Sequence, residues 1–352
     1  MVKVIQQWFH RYFSDPQAVL LVILLATSFT VILTMGKMLA PLLVSLVLAY
    51  LLEGTIQGLQ GWRFYRLPAV LLVFSLFTTI FVFILLILLP LLANQISQLF
   101  QELPAMVDKG KTLVQELPKR YPNFISEGQV ENWMNSIRSG INYVGQHLLS
   151  GAIDFIPAIL TVMIYFILVP ILVFFFLKDK ELLLNWLVSF LPQERHAASS
   201  LWKEMDAQMG NYVRGKVYEI FIVGTFTYIP FAIMGLNYAS LLAVLVGLSV
   251  IIPYIGAVVV TIPVILVAYF QWGFGPDFGW LMVIYLIIQA FDGNVLVPLL
   301  FSEAVNLHPI AIISAVLVFG GLWGFWGVFF AIPLATLVKA LITTWPRSEE
   351  IK

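Results

Sequence analysis

The chain has 352 residues, of which 61% are hydrophobic and 11% charged, well below the charged fraction of about 25% in soluble domains. This composition predicts an all-α polytopic membrane protein and excludes an ordinary soluble domain. The 19 basic and 19 acidic residues balance without a basic stripe, which argues against nucleic acid as a partner, and the lack of cysteine excludes disulfides and thiolate metal sites.

Residues 1–92 are predicted to hold the first three transmembrane helices, because apolar runs at residues 17–36, 38–52 and 67–92 meet or approach the roughly 20 residues that cross a bilayer. The basic N-terminus before the first run resembles a signal peptide. That run has no small-residue cleavage site, so we expect it to be retained as a span.

Residues 93–152 are predicted to form a small extracytoplasmic helical cap, since their apolar residues recur at helical spacing. The apolar stripe of this cap needs a partner, which is the membrane, the same chain or a neighbouring subunit. The fourth transmembrane helix follows at residues 153–177. A cytoplasmic helical loop is then expected at residues 178–216, split at Pro192.

Residues 217–343 form the predicted transmembrane core, followed by a cytoplasmic tail at residues 344–352. A run of 39 residues at the end of this core would extend about 58 Å as one helix, far more than the roughly 30 Å of a bilayer core. It must therefore fold back, and its glycines allow this. The apolar runs of the core lie at residues 217–236, 238–272, 278–301 and 305–343.

The distribution of basic residues predicts that both termini are cytoplasmic. With the N-terminus inside, the cytoplasmic segments hold 13 lysines and arginines. The outer segments hold 6, which are Lys37 in a turn between the first two spans and five in residues 93–152. The order of spans then requires a re-entrant hairpin, either at residues 238–272, which we expect to be interrupted at Pro253, Gly256 and Pro263, or at residues 305–343. We expect about eight transmembrane helices plus re-entrant or broken helices.

Residues 217–338 contain no lysine or arginine but keep four carboxylates: Glu219, Asp277, Asp292 and Glu303. Only Asp292 lies in the middle of an apolar run. A carboxylate at the bilayer centre costs about 2.5–3.5 kcal/mol on insertion scales, so a chain that keeps one usually gives it a partner or a task. Asp292 is therefore the first functional candidate, with Glu219 and Glu303 near span ends as weaker ones.

Prolines and glycines, which interrupt helices, occur in the same apolar part of the chain as Asp292. Irregular backbone inside a membrane is tolerated only where it is buried in protein or lines a wet cavity, and transporters build their sites in this way. The further candidates for a substrate or ion pathway are Asn294, Pro298, Pro253, Tyr254 and Gly256.

Four glycines near the C-terminus have a packing interpretation. Small residues let helices approach closely, and we favour this role, or that of a hinge, over ligand binding. They are Gly320, Gly321, Gly324 and Gly327.

No motif in the chain indicates an enzyme, a cofactor or a metal site. Residues 210–217 resemble a phosphate-binding loop, but Val217 stands where serine or threonine would hold magnesium, and the surroundings are helical. The four histidines are scattered, and no serine-nucleophile motif occurs. An intramembrane aspartyl protease would need a second intramembrane aspartate, which Asp277 does not supply.

Several motifs together resemble the autoinducer-2 exporter (AI-2E) family, most closely its permease branch. The similarity extends over nearly the whole chain. The motifs that carry it are Ile252-Pro-Tyr-Ile-Gly256, Gln289-Ala-Phe-Asp-Gly-Asn-Val-Leu-Val-Pro298, Asn306-Leu-His-Pro309 and the glycine-rich segment from Gly320 to Pro333.

This resemblance implies a bacterial inner-membrane protein that assembles as a homo-oligomer, specifically a pentamer. Members of the family are associated with export of a quorum-sensing signal and, in other branches, with sodium-proton antiport. Leu299 and Ser302 stand where many members have a basic residue and a glycine. The exporter's substrate is therefore not transferred to this chain.

The first functional hypothesis is a permease that exports a small polar solute or cation by proton- or sodium-coupled secondary transport. Asp292 would be the coupling carboxylate, and Asn294, Tyr254 and the carbonyls around Pro253 and Pro298 would be neutral ligands. The alternatives are a non-transporting oligomeric scaffold or regulator and a passive channel. Substrate, coupling ion and direction stay open at this point.

Overall fold

The computed structural model describes residues 16–114, 155–190, 196–301 and 307–344, together with residues 128, 132, 135, 136, 139 and 140. All regular secondary structure in this part of the chain is helical, as the composition predicts. The helices are α1 (Pro16–Gly61), α2 (Arg66–Phe83), α3 (Leu89–Val114), α4 (Phe155–Lys178), α5 (Lys180–Ser189), α6 (His196–Ile233), α7 (Ala239–Ser249), α8 (Ile255–Trp272), α9 (Pro276–Phe291), α10 (Val297–Phe301), α11 (Pro309–Trp323), α12 (Phe325–Phe329) and α13 (Ala331–Thr344).

Helix α1 joins the first two predicted spans into one helix of 46 residues, about 69 Å long. The prediction of a turn at Lys37 is wrong, because a lysine between apolar helix formers leaves the helical backbone hydrogen bonds intact. Pro41 also lies inside the helix, where Ser45 Oγ donates a hydrogen bond of 2.6 Å to its carbonyl oxygen. The N-terminal part of the chain is thus built on one long rod.

Helix α2 continues through a π-helical turn at Ile84–Leu88 into α3. The first part of the predicted cap, residues 93–114, therefore extends the third predicted span instead of starting a separate unit. Apart from six single helical positions, the rest of the cap lies outside the described residues.

Helix α4 matches the predicted fourth span at residues 153–177. The loop predicted at residues 178–216 is helical, as expected, but its second helix does not end at Lys216. Helix α6 runs on without interruption to Ile233, because no proline or glycine pair separates the loop from the following apolar run.

An ion-pair network joins the ends of four helices on the side predicted to be cytoplasmic. The Glu53 carboxylate accepts hydrogen bonds from Arg66 Nη1 at 3.2 Å and from Lys180 Nζ at 3.0 Å. Arg66 Nη2 also donates to the Leu177 carbonyl oxygen at 2.9 Å. The network thereby holds the C-terminal parts of α1 and α4 against the starts of α2 and α5.

Helices α7 and α8 form the first of two helical hairpins. The chain reverses at residues 250–254, where Tyr254 adopts a left-handed φ of 64°. A Cβ on Gly256 would lie 1.8 Å from the Ser249 carbonyl oxygen, so the turn requires glycine there. The predicted fold-back at Pro253 and Gly256 is thus confirmed, whereas the interruption predicted at Pro263 is wrong because Pro263 lies within α8.

Helices α11, α12 and α13 form the second hairpin. The chain turns at Gly324, which has a φ of 59°, inside the glycine-rich segment where the sequence predicts a fold-back. A Cβ on Gly327 would lie 1.8 Å from the Phe319 carbonyl oxygen, and one on Gly320 would lie 2.8 Å from Val328 Cγ2. Gly320 and Gly327 are thus closely packed in this hairpin, whereas a Cβ on Gly321 would meet no atom within 4 Å; the packing or hinge role of the four glycines stays a prediction.

Five helical stretches in the described residues are long and apolar enough to cross a membrane. Helices α7, α11 and parts of α4 and α13 are apolar but shorter. The multi-pass character is thus confirmed, whereas the count of eight spans stays a prediction. The five stretches are Met38–Gly61, Arg66–Met106, Gln208–Ile233, Ile255–Trp272 and Pro276–Phe301.

Candidate functional site

Helices α6 and α9 pack side by side and run in opposite directions. Near one end Phe231 faces Tyr285, with ring centroids 6.3 Å apart. Near the other end α6 meets α10, which follows α9 in the chain: the Cβ position of Gly215 lies 2.9 Å from the Phe301 ring, so glycine allows the close approach there. The candidate site lies between these two contacts.

A buried ion pair on α6 faces this interface. Lys216 Nζ donates a hydrogen bond of 2.7 Å to Glu219 Oε2, and the two side chains are only 6% and 2% exposed. The ammonium group also lies over the Phe301 ring, 5.2 Å from its centroid. The sequence analysis places Glu219 near the end of a span; in the structure it lies within the apolar helical stretch Gln208–Ile233.

Asp292 approaches this pair from the opposite helix. It begins a π-helical turn, Asp292–Leu296, in which its own carbonyl accepts from the Val297 backbone N–H. The turn precedes Pro298, which has no backbone N–H to donate. The helix therefore widens by one π-helical turn here, whereas the sequence predicts a broken helix. Oδ1 of Asp292 is buried without a hydrogen-bond partner in the described part of the chain.

Asp292 interacts electrostatically with both Lys216 and Glu219. With all three groups ionised, their net charge is −1. A buried charge without compensation costs several kcal/mol, so this arrangement favours the uptake of one positive charge.

Two more polar side chains, one on α6 and one on α9, have unpaired buried atoms. They are Thr227 Oγ1 on α6 and Gln289 Nε2 on α9, neither of which has a hydrogen-bond partner among the described residues. Thr227 lies about 16 Å along α6 from Lys216. Tyr285 of α9 and Thr261 of α8 share a hydrogen bond of 2.8 Å. Buried polar groups therefore occur on α6, α8 and α9 within otherwise apolar helices.

The tips of both helical hairpins reach α6 beside the ion pair. Ile251 of the first hairpin and Phe329 of the second pack in one cluster with Tyr212, which lies one helical turn before Lys216. Tyr212 Oη donates a hydrogen bond of 3.2 Å to the Phe329 carbonyl oxygen. Tyr212 lies about 6 Å along α6 from the Gln208 end of the apolar stretch. The sequence analysis left open which hairpin is re-entrant, and that choice stays a prediction.

The structure separates several predicted site residues from the buried carboxylate. Asn294 and Pro298 are exposed, and Asn294 Nδ2 donates to the Ala290 carbonyl oxygen at 2.8 Å. Tyr254 is 62% exposed at the tip of the first hairpin. Pro253 and Gly256 shape that tip, while Glu303 lies outside the described residues.

The sequence analysis missed Lys216, Thr227 and Gln289. The spacing of three residues between Lys216 and Glu219 is one helical turn and could have shown the pair. Thr227 and Gln289 had no comparable signal. No group of three or more histidine, cysteine, aspartate or glutamate side chains that could hold a metal occurs among the described residues.

Charged side chains are buried between apolar helices, and a π-helical turn and two helical hairpins lie beside them. This combination is typical of multi-pass membrane proteins of the transport class. The chain belongs to the AI-2E family, since the family model described as "AI-2E family transporter" matches residues 7–347. The family resemblance found in the sequence is thus confirmed.

The similarity to relatives covers nearly the full chain. It is 48% identical over 346 residues to "Putative permease PerM" of Escherichia coli (strain K12), with 98% of each chain covered. It is 26% identical over 335 residues to "Putative transport protein YueF" of Bacillus subtilis (strain 168), covering 92% of this chain and 89% of that one. These names place the chain among permeases and transport proteins.

Proposed function

We propose that the protein is a secondary transporter in which Asp292 takes up one proton or monovalent cation and couples this step to the movement of a small solute or second cation. The observation that supports the proposal is the buried, unpaired Oδ1 of Asp292 beside the Lys216–Glu219 pair. Lys216 neutralises the charge of one of the two carboxylates, Glu219 and Asp292. One negative charge therefore remains for the transported ion to neutralise.

The surroundings of Asp292 favour a transporter over a fixed structural ion pair. A structural carboxylate in a membrane is expected to have both oxygens satisfied, because an unpaired buried polar atom costs about 1–3 kcal/mol. Thr227 on α6 and Gln289 on α9 supply further unpaired buried polar atoms on the same two helices. They are suited to hold water or an ion between Asp292 and the far end of α6.

In this proposal the tips of the two helical hairpins control access to the charged site. Two short-helix turns that meet beside a charged site resemble the discontinuous helices that transporters use at their binding sites. Movement of the tips relative to α6 would open the site on one side. In this proposal the protein lies in the bacterial inner membrane with both termini in the cytoplasm, and its substrate and direction of transport are left to experiment.

The test uses purified protein in liposomes that contain a pH-sensitive dye. Pulses of sodium, potassium or lithium are applied, and a counterflow screen of small polar solutes runs in parallel. Asp292→Asn should abolish cation- or solute-dependent proton flux. Asp277→Asn removes the same charge from the exposed first turn of α9, the helix that precedes Asp292, and should leave the flux unchanged.

Coupled flux that survives in Asp292→Asn would refute the assignment of this carboxylate. Conductance without coupling in the unaltered protein would identify a passive channel. A protein that moves no ion and no solute, but still assembles, would support the scaffold interpretation.

A further inference from the structure

Arg214 lies in a slot that two glycines form on different helices. A Cβ on Gly54 of α1 would lie 2.8 Å from its Nη1, and a Cβ on Gly210 of α6 would lie 2.9 Å from its Nη2. Any larger residue at either position would push the guanidinium group aside. The two helices therefore leave room for this side chain where they cross.

Among the residues that the structure describes, Arg214 has no partner in an ion pair. In the part of the chain that the structure describes, its one hydrogen bond runs from Nη2 to Asn211 Oδ1 at 3.3 Å, and no carboxylate oxygen lies within 4.0 Å of its nitrogens. The nearby Asp206 carboxylate accepts instead from Tyr50 Oη at 2.8 Å. Arg66, at the same end of the bundle, is paired with Glu53. Arg214 thus keeps most of its five N–H donors for another partner.

A cleft of ≈ 510 Å³ opens beside the guanidinium group. Thr55 and Gln57 contribute polar side chains to it, and Trp62 and Tyr218 contribute aromatic rings. Trp62 is 80% exposed at the end of α1, a position typical of the membrane–water interface, where such rings collect. The residues that line the cleft are Gly54, Thr55, Gln57, Gly58, Leu59, Trp62, Arg214 and Tyr218.

We infer that this cleft binds a phosphate group through Arg214. A guanidinium group presents its donors in a planar fork that matches two phosphate oxygens, and its pairing with an anion is strongest where it is partly shielded from water. Residues 210–217, which resemble a phosphate-binding loop in sequence, form part of α6, so a side chain and not a backbone loop provides the donors. The phosphate belongs either to a phospholipid headgroup or to a soluble phosphate ester.

Three variants separate the parts of this site. Arg214→Gln removes the donor fork. Gly58→Leu fills the cleft and keeps Arg214, and the Cβ position of Gly58 has no atom within 4 Å, so the helix tolerates the change. Arg63→Gln is the matched control, because it removes a charge at the same end of α1 from an exposed residue that does not line the cleft.

Two binding experiments distinguish the sources of the phosphate. In the first, the full chain is placed in nanodiscs of phosphatidylglycerol and phosphatidylcholine, and native mass spectrometry counts the lipids retained on release. In the second, inorganic phosphate is titrated by calorimetry onto protein in a phosphate-free maltoside detergent. Arg214→Gln removes the charge-assisted hydrogen bonds and Gly58→Leu blocks access to them, so each variant should weaken binding by roughly tenfold to a hundredfold.

A lipid site is supported if the unaltered protein and Arg63→Gln retain phosphatidylglycerol while both cleft variants lose it. Saturable binding of inorganic phosphate with the same dependence supports a site for soluble phosphate esters. Binding that is equal in all four proteins, or that falls equally in Arg63→Gln, overturns the inference. So does the absence of binding in both experiments.

Discussion

Replacement of Lys216 by methionine should strongly destabilise the protein. At 2.7 Å and an effective dielectric constant of 20, the attraction between Lys216 and Glu219 is about 6 kcal/mol. The variant avoids part of this loss by holding Glu219 protonated, which at pH 7 costs about 4 kcal/mol relative to the ionised form in water. We therefore expect the free energy of unfolding to fall by about 3–5 kcal/mol.

The loss should depend on pH with a defined sign. In the Lys216→Met variant the folded protein binds one more proton, at Glu219, than the unfolded chain does, so its stability rises as the pH falls. At pH 5 the cost of protonation is only about 1 kcal/mol. Tryptophan fluorescence during denaturant unfolding in micelles, at pH 7 and pH 5, measures both values.

A double variant and a control complete the experiment. Lys216→Met combined with Glu219→Gln removes both charges and should recover most of the lost stability. Lys180→Met also breaks an ion pair, with Glu53, but the Lys180 side chain is 35% exposed and Arg66 remains in place, so we expect a loss of about 1 kcal/mol or less. If Lys216→Met costs no more than this control, or if the double variant is as unstable as the single one, the reasoning about the buried pair is wrong.

Three further outcomes are expected. Tyr212→Phe removes the buried hydrogen bond to the second hairpin and should lower the free energy of unfolding by about 1 kcal/mol, with a higher rate of hydrogen exchange at Phe329 and its neighbours. Gly327→Ala places a Cβ 1.8 Å from a carbonyl oxygen and should prevent normal folding, whereas Gly321→Ala meets open space and should raise stability by up to about 1 kcal/mol; size-exclusion profiles and melting temperatures distinguish the two. The pentamer that the family resemblance implies should give native mass spectra at five times the chain mass of 39.7 kDa, and a spectrum of monomers alone would contradict it.

The features that the sequence predicted correctly depend on neighbours along the chain. The fold-backs at Pro253–Gly256 and at Gly324 could be recognised because helix breakers act on their own backbone. Asp292 could be singled out because a charge inside an apolar run is costly wherever the run packs.

The wrong expectations also have local causes. Lys37 and Pro263 looked like interruptions, yet α1 and α8 continue through them, since a long apolar helix tolerates one charge or one proline. The extent of α6 was missed for a similar reason. Its polar first half and apolar second half read as two segments in the sequence, although nothing in the backbone separates them.

The sequence by itself determined that this is a helical multi-pass membrane protein of the AI-2E family with a costly carboxylate at Asp292 and glycine-dependent turns. Only the tertiary structure decided that Asp292 faces Lys216 and Glu219, while Asn294, two residues further on, faces outward. The physical reason is that composition and helix-breaking residues act on the nearby backbone. The direction in which a side chain points depends instead on how its helix is rotated about its axis relative to the neighbouring helix. That rotation is set by packing between residues far apart in the chain, such as Gly215 against Phe301.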